Sequence, residues 1–139
     1  MKYLNYHKKF KSADDLKKWL NENEIESRGC YVFENGDWAY IDDPGLTHLY
    51  RNGIELTKEI KAINSYSFKN GDWSYKDKQG FWHLFRNRVE LTKGIKANYV
   101  WSHENGDWMY RDEQGFEYLF RNGVGRTKDL IGREVFFLL

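Results

Sequence analysis

Asn35-Gly36-Asp37-Trp38-Ala39-Tyr40-Ile41-Asp42 returns as Asn70-Gly71-Asp72-Trp73-Ser74-Tyr75-Lys76-Asp77 and again as Asn105-Gly106-Asp107-Trp108-Met109-Tyr110-Arg111-Asp112, a period of 35 residues. An Asn-Gly pair followed by aromatic residues at alternate positions is a tight turn feeding a strand, so the stretch marks one hairpin unit repeated along the chain. Outward from it, the copies align without a gap over residues 25–59, 60–94 and 95–129. Positions identical in all copies include Asn35, Gly36, Asp37, Trp38, Tyr40, Asp42, Gly45, Leu49, Arg51, Asn52, Thr57 and Lys58. Past the third copy, Leu130 stands where Ile60 and Ile95 stand, and Phe136 where Tyr66 and Trp101 stand. Residues 130–139 therefore read as the opening strand of a fourth copy that caps the third.

Each unit reads as four short strands. In the second copy they run over residues 60–68, 73–76, 81–86 and 89–91, with turns at Asn70-Gly71, Asp77-Lys78-Gln79-Gly80 and Asn87-Arg88. A two-residue first loop puts Phe68 opposite Trp73 and Tyr66 opposite Tyr75, giving the hairpin one aromatic face. A four-residue second loop then carries Trp73 onto Leu84, and the third turn carries that face to Leu91. The expected core is Phe33, Trp38, Tyr40, Leu49 and Leu56 in the first copy, and Phe68, Trp73, Tyr75, Leu84 and Leu91 in the second. In the third, His103 and Arg126 replace Phe68 and Leu91, so that unit should be the most exposed or least stable. Arg88 stands where Gly53 and Gly123 occupy the third turn, which predicts strain or another turn type there.

Residues 1–24 are a lysine-rich lead-in followed by a helix over about residues 13–22. Ser12 precedes Asp14 and Asp15, the pattern of a capped helix start, and Leu16, Trp19 and Leu20 form one apolar stripe. Its simplest role is to cap the first repeat. The fold class is mainly β: three tandem four-strand antiparallel repeats, one N-terminal helix and a C-terminal capping strand, all in one domain. A β-trefoil also has three units of four strands, but a closed threefold fold has no need of a fourth-copy strand. Three propeller blades are too few to close. An open array, which needs caps at both ends, is favoured.

An aromatic fraction of 18% supplies apolar surface for a core, and 22 basic against 21 acidic residues give a net charge of +1, too small for a single-sign field. Cys30 is the only cysteine, so no internal disulfide forms and a thiolate metal site has no support. No apolar leader opens the chain, which leads to the expectation of a cytoplasmic protein outside any membrane.

The repeated segment Gly36-Asp37-Trp38-Ala39-Tyr40-Ile41-Asp42-Asp43-Pro44-Gly45 and its counterparts resemble the bacterial WG (KWG) repeat over about residues 25–129. That family has glycine after the tryptophan, where Ala39, Ser74 and Met109 stand here. It carries no single established activity. A weaker similarity, to the Gly-x-Trp-Tyr-Tyr-x-x-x-x-Gly pattern of choline-binding cell-wall repeats, involves shorter units from exported proteins.

Catalysis needs an asymmetric set of groups, whereas the polar residues here recur with the repeat. No catalytic residues, metal site or cofactor are expected. His48 and His83 are equivalent and become Tyr118 in the third copy, which breaks any repeated metal site. The aspartates flank turns, where carboxylates bond backbone amides. The third strand carries rings on both faces, and Arg51, Arg86 and Arg121 lie beside Tyr50, Phe85 and Phe120. These six, with Trp82 and Tyr118, are the candidate binding residues. A strand apolar on both faces is otherwise sandwiched between layers, and arginines so regular are otherwise paired with the equally regular aspartates. The favoured function is a non-enzymatic intracellular protein binding another protein, for example an inhibitor or immunity-type protein of bacterial or phage origin acting on a nuclease or defence effector. A glycan-binding module using Trp82 and Tyr118 is the alternative, and RNA or single-stranded DNA binding along the basic rows is the second.

Overall fold

The computed structural model describes residues 9–121 and the backbone of residues 124–128 and 134–138. The lead-in through residue 8, the Asn122-Gly123 turn, Leu130 and the side chains of Arg126 and Phe136 lie outside the described residues. Helix α1 (Ala13–Glu22) is followed by a sheet of β1 (Gly29–Val32), β2 (Trp38–Ile41), β3 (Thr47–Arg51) and β4 (Ile54–Glu55). A second sheet holds β5 (Asn64–Ser67), β6 (Trp73–Lys76), β7 (Trp82–Arg86) and β8 (Val89–Glu90). The third holds β9 (Tyr99–Ser102), β10 (Trp108–Arg111), β11 (Glu117–Arg121), β12 (Val124–Lys128) and β13 (Glu134–Leu138). All pairings are antiparallel meanders, so the fold is an open repeat-like all-β array with no closed barrel.

The helix forms as its residues dictate. Ser12 Oγ accepts from the Asp15 amide at 3.2 Å, two acidic residues sit in the first turn, and Leu16, Trp19 and Leu20 are buried. They pack with Phe10 and Ile25 against Trp38, Tyr40 and Tyr50 on the outer face of the first sheet. Its opposite face presents Ala39 and Leu49 to Trp73 of the second sheet, and the second presents Phe68 and Leu84 to Trp108 and Phe120 of the third. Each sheet thus offers its tryptophan face to the unit before it, with the helix standing in for a unit ahead of the first. Ala39 and Ser74, directly after the tryptophans, are buried on the face turned to the next sheet, where the stacking favours a small side chain. Met109, in the last unit, is only half-buried.

Two register expectations fail, and the reason is local. Asn70 Oδ1 accepts from the Asp72 amide at 2.8 Å, while the Gly71 amide donates to Phe68 O at 2.9 Å with Gly71 at φ +97°. That is a three-residue loop ending in a glycine bulge. Phe68 therefore pairs with Asp72 and Tyr66 with Ser74, one residue away from the two-residue reading. The second turn is likewise one residue shorter than expected, because the Asp77 amide donates to Phe81 O; Trp73 lies opposite Phe85, not Leu84. A slip of one exchanges the faces: Trp73 and Tyr75 share theirs with Ser65 and Ser67. The core membership survives because both faces are packed. Trp38, Tyr40, Leu49, Phe68, Trp73 and Leu84 are buried and Phe33, Leu56, Tyr75 and Leu91 half-buried.

The third turn has its two-residue form, with Leu91 N bonded to Leu84 O, and Arg88 is held at φ +69° where Gly53 has +76°. That is strain of the expected kind. In the third unit, Leu119 is half-buried where Leu49 and Leu84 are sealed, and His103 is exposed. The C-terminal strand takes a different route from its equivalents. β5 and β9 each open a new sheet, whereas β13 pairs back onto β12 as a fifth strand. β4 and β8 are two-residue edges, while β12 is five residues long and gives a partner strand a full ladder to join.

Candidate binding surface

The residues that repeat most faithfully form a clasp between units. Arg51 Nη2 donates to Asp37 Oδ2 at 2.7 Å and to Gly71 O of the next unit at 2.8 Å, and Ser67 Oγ donates to the same Asp37 oxygen at 2.6 Å. Asn35 Nδ2 reaches Ser67 Oγ and Phe68 O. One unit on, Arg86, Asp72, Ser102, Asn70 and Gly106 O repeat every contact, with Ser102 Oγ at 2.6 Å from Asp72 Oδ2. Arg121 meets Asp107 at 2.8 Å. The arginines thus pair with the aspartates in all three copies. Asp42, Asp77 and Asp112 bond backbone amides in their turns.

The expected binding face is divided by this arrangement. Tyr50 and Phe120 are buried, stacked on Trp38 at 4.4 Å and Trp108 at 4.1 Å. Phe85 stacks on Trp73 at 4.6 Å, and Tyr118 stacks on Tyr110 at 4.5 Å while its hydroxyl donates to Asp112. Tyr50 and Phe120 are thus sealed inside the stack and Phe85 and Tyr118 half-buried in it, as the sandwiched reading of the strand requires, while the ion-paired Arg51, Arg86 and Arg121 keep 31%, 34% and 47% of their side chains exposed. Trp82 lines a cleft described below, and Arg51 and Arg86 border an opening of about 410 Å³ beside Asn70, Gly71 and Asn105.

The histidines sit in matching polar frames. His48 Nδ1 lies 2.8 Å from Glu55 and Nε2 2.8 Å from Asp42; His83 has the same distances to Glu90 and Asp77. The Glu55 hydrogen bond raises the His48 pKa against the opposing effect of burial; for His83, burial pulls down and the bonds to Asp77 and Glu90 outweigh it. Each ring is thereby favoured as an imidazolium between two carboxylates, stacked on Tyr40 or Tyr75. In the third unit, Tyr118 and Asp112 replace this frame.

What stands open is a row that the sequence pattern alone does not select. Tyr31, Tyr66 and Trp101, at one repeat position on the outer strands β1, β5 and β9, are 47%, 41% and 37% exposed. Phe33 bridges to Tyr66 at 5.4 Å, and Phe68 and Tyr66 both contact Trp101, at 5.3 and 6.0 Å. The groove along these rings measures about 530 Å³ and is bordered by Glu34, Lys69 and Glu104, with Lys69 and Glu104 paired at 2.9 Å. Recurrence of a large ring at this position was the available signal; register decides that the rings point to the edge.

A second, smaller opening of about 240 Å³ lies between the second and third sheets, lined by Tyr66, Trp82, Tyr99 and Trp101 around Ser74. Among the described residues, no group of three or more His, Cys, Asp or Glu side chains is placed to hold a metal ion, and no helix is long and apolar enough to cross a membrane. No family model, no curated protein and no solved structure matches the chain.

Proposed function

We propose that this chain is a non-enzymatic repeat scaffold that binds another protein along the edge formed by Tyr31, Tyr66 and Trp101. The observation that carries the reading is the continuous exposed ring row, rimmed by charges of both signs. Large aromatics at the centre of a patch with a polar rim are what protein interfaces use as anchors. A row made of one position on stacked sheets is also rigid before binding, which lowers the ordering cost. An inhibitor or immunity-type role toward a nuclease or defence effector belongs to the same reading, since such a protein acts by covering its target with a preformed face. The WG-repeat resemblance is kept as part of it, with Ala39 and Ser74 as the small residues that stacking favours.

The test is capture by tagged protein at low and high salt, repeated with Tyr31→Ser, Tyr66→Ser and Trp101→Ser combined. A stoichiometric protein retained at high salt by the wild type and lost by the triple variant supports the reading. Equal capture by both overturns the surface. The same rings favour a glycan as the second reading, and a glycan-array response abolished by the triple variant would replace the first with it. The pairing of Arg51, Arg86 and Arg121 with aspartates weakens the case for nucleic acid.

A further inference from the structure

The opening between the second and third sheets departs from the repeat symmetry that explains the rest of the molecule. Its floor includes Ser74, 1% exposed, whose Oγ has no hydrogen-bond partner. Buried polar atoms left unpaired are rare in folded proteins, and each calls for an explanation. At the first interface the equivalent positions differ: Ala39 replaces Ser74 and brings no hydroxyl, while Thr47 and Ser65 replace Trp82 and Val100, are buried and sit 3.2 Å apart, Oγ1 to Oγ. The second interface thus has an opening, a ring wall and an orphan hydroxyl that stacking does not require.

We propose that this cleft binds one uncharged aromatic ring bearing a hydrogen-bonding group, a phenol or an indole, with its polar atom on Ser74 Oγ. Size fits, because an apolar cavity of about 150 Å³ is enough for benzene and this cleft offers about 240 Å³. Its lining contains no Lys, Arg, His, Asp or Glu, which selects a neutral ligand. Tyr66, Tyr99 and Trp101 are exposed at the mouth, where a ring can enter and stack. A cation is disfavoured, because Arg111 already lies over the Tyr99 ring at 5.3 Å. A sugar ring carries more hydroxyls than the few polar groups here can meet. The proposal deepens the protein-binding reading, since Tyr66 and Trp101 serve both and the ring can be a partner's tyrosine or tryptophan side chain.

The test follows the indole N–H signals of Trp82 and Trp101 in ¹⁵N-labelled protein during titration with phenol, toluene, N-acetyl-tyrosinamide and tetramethylammonium. Phenol should shift both signals saturably. Ser74→Ala, a residue the same position already accepts as Ala39, should weaken phenol about fivefold and leave toluene unchanged. Binding of N-acetyl-tyrosinamide as well points to a partner side chain as the source of the ring; binding of phenol alone points to a free small molecule. No saturable shift with phenol, equal weakening of phenol and toluene by Ser74→Ala, or tighter binding of tetramethylammonium each overturns the proposal. Ser74→Ala leaves the exposed row intact and Tyr31→Ser leaves the cleft intact. Loss of partner capture with Tyr31→Ser and loss of phenol binding with Ser74→Ala are therefore separable failures.

Discussion

Replacing Asp72 with asparagine should destabilise the protein several times more than the same change at Asp107, although the two occupy one repeat position. The Asp72 carboxylate accepts from Arg86 Nε at 3.1 and 3.2 Å, Arg86 Nη2 at 2.8 Å, Ser102 Oγ at 2.6 Å and Asn70 Nδ2 at 3.4 Å, with its side chain 5% exposed. An amide keeps the shape but turns one acceptor into a donor facing other donors. Breaking a buried, hydrogen-bonded pair costs about 3–5 kcal/mol. Arg86 is one-third exposed and recovers some hydration, which places the expected loss near 3 kcal/mol. Asp107 has one bond to Arg121, an arginine 47% exposed, and one to Asn105 at 3.2 Å. It behaves as a surface pair, worth about 0.2–1 kcal/mol. For a chain of this length the difference is a fall in Tm on the order of 10 °C against one of a few degrees. Urea unfolding followed by tryptophan fluorescence and circular dichroism reads both variants. Because Asp72 joins the second unit to the third, its loss should also separate the two probes' transitions. Equal midpoint shifts in the two variants would refute the clasp as the source of inter-repeat stability.

Arg88→Gly releases a left-handed arginine at φ +69° and, after the extra freedom of glycine in the unfolded chain, should stabilise by about 0.5–1 kcal/mol; an unchanged or lower urea midpoint would contradict that. Leu84→Ala, at a fully buried site, should lose about 2–5 kcal/mol and Leu119→Ala, half-buried, clearly less, and parity between them in thermal melts would argue against the third unit's openness. Stability should also depend on pH in both directions. His48 and His83 have pKa values raised above their ordinary 6.5, so their contribution is complete below about pH 6.5 and disappears as pH rises through the folded values. Asp42, Glu55 and Asp77 are lowered from 3.8, 4.5 and 3.8, so theirs is complete above about pH 4.5 and disappears as pH falls through the folded values. The combined change of His48 and His83 to tyrosine, the residue the third unit has there, should flatten the alkaline limb of urea midpoint against pH; a limb of unchanged slope would remove the histidines as its cause.

The sequence by itself determined the unit, its four strands, the two-residue third turn and the helix with its cap, because each rests on contacts within a few residues or on exact recurrence. Ser12 before Asp14 and Asp15, and Asn52-Gly53 between two strands, are complete instructions of that kind. The pairing of Arg51 with Asp37 was also legible, since both recur at one spacing and opposite charges with a shared period have an obvious partner. Register in the first two hairpins was not. Asn70 and Gly71 serve either a two-residue or a three-residue loop, and the choice shifts every side chain to the other face. Only the tertiary structure decided which rings are inside. Tyr50 and Tyr66 are both strand tyrosines, yet one is 2% exposed and the other 41%, because a neighbouring layer covers the first and none covers the edge of the second. Exposure is a property of what the next unit places against a side chain, and local spacing carries no record of it.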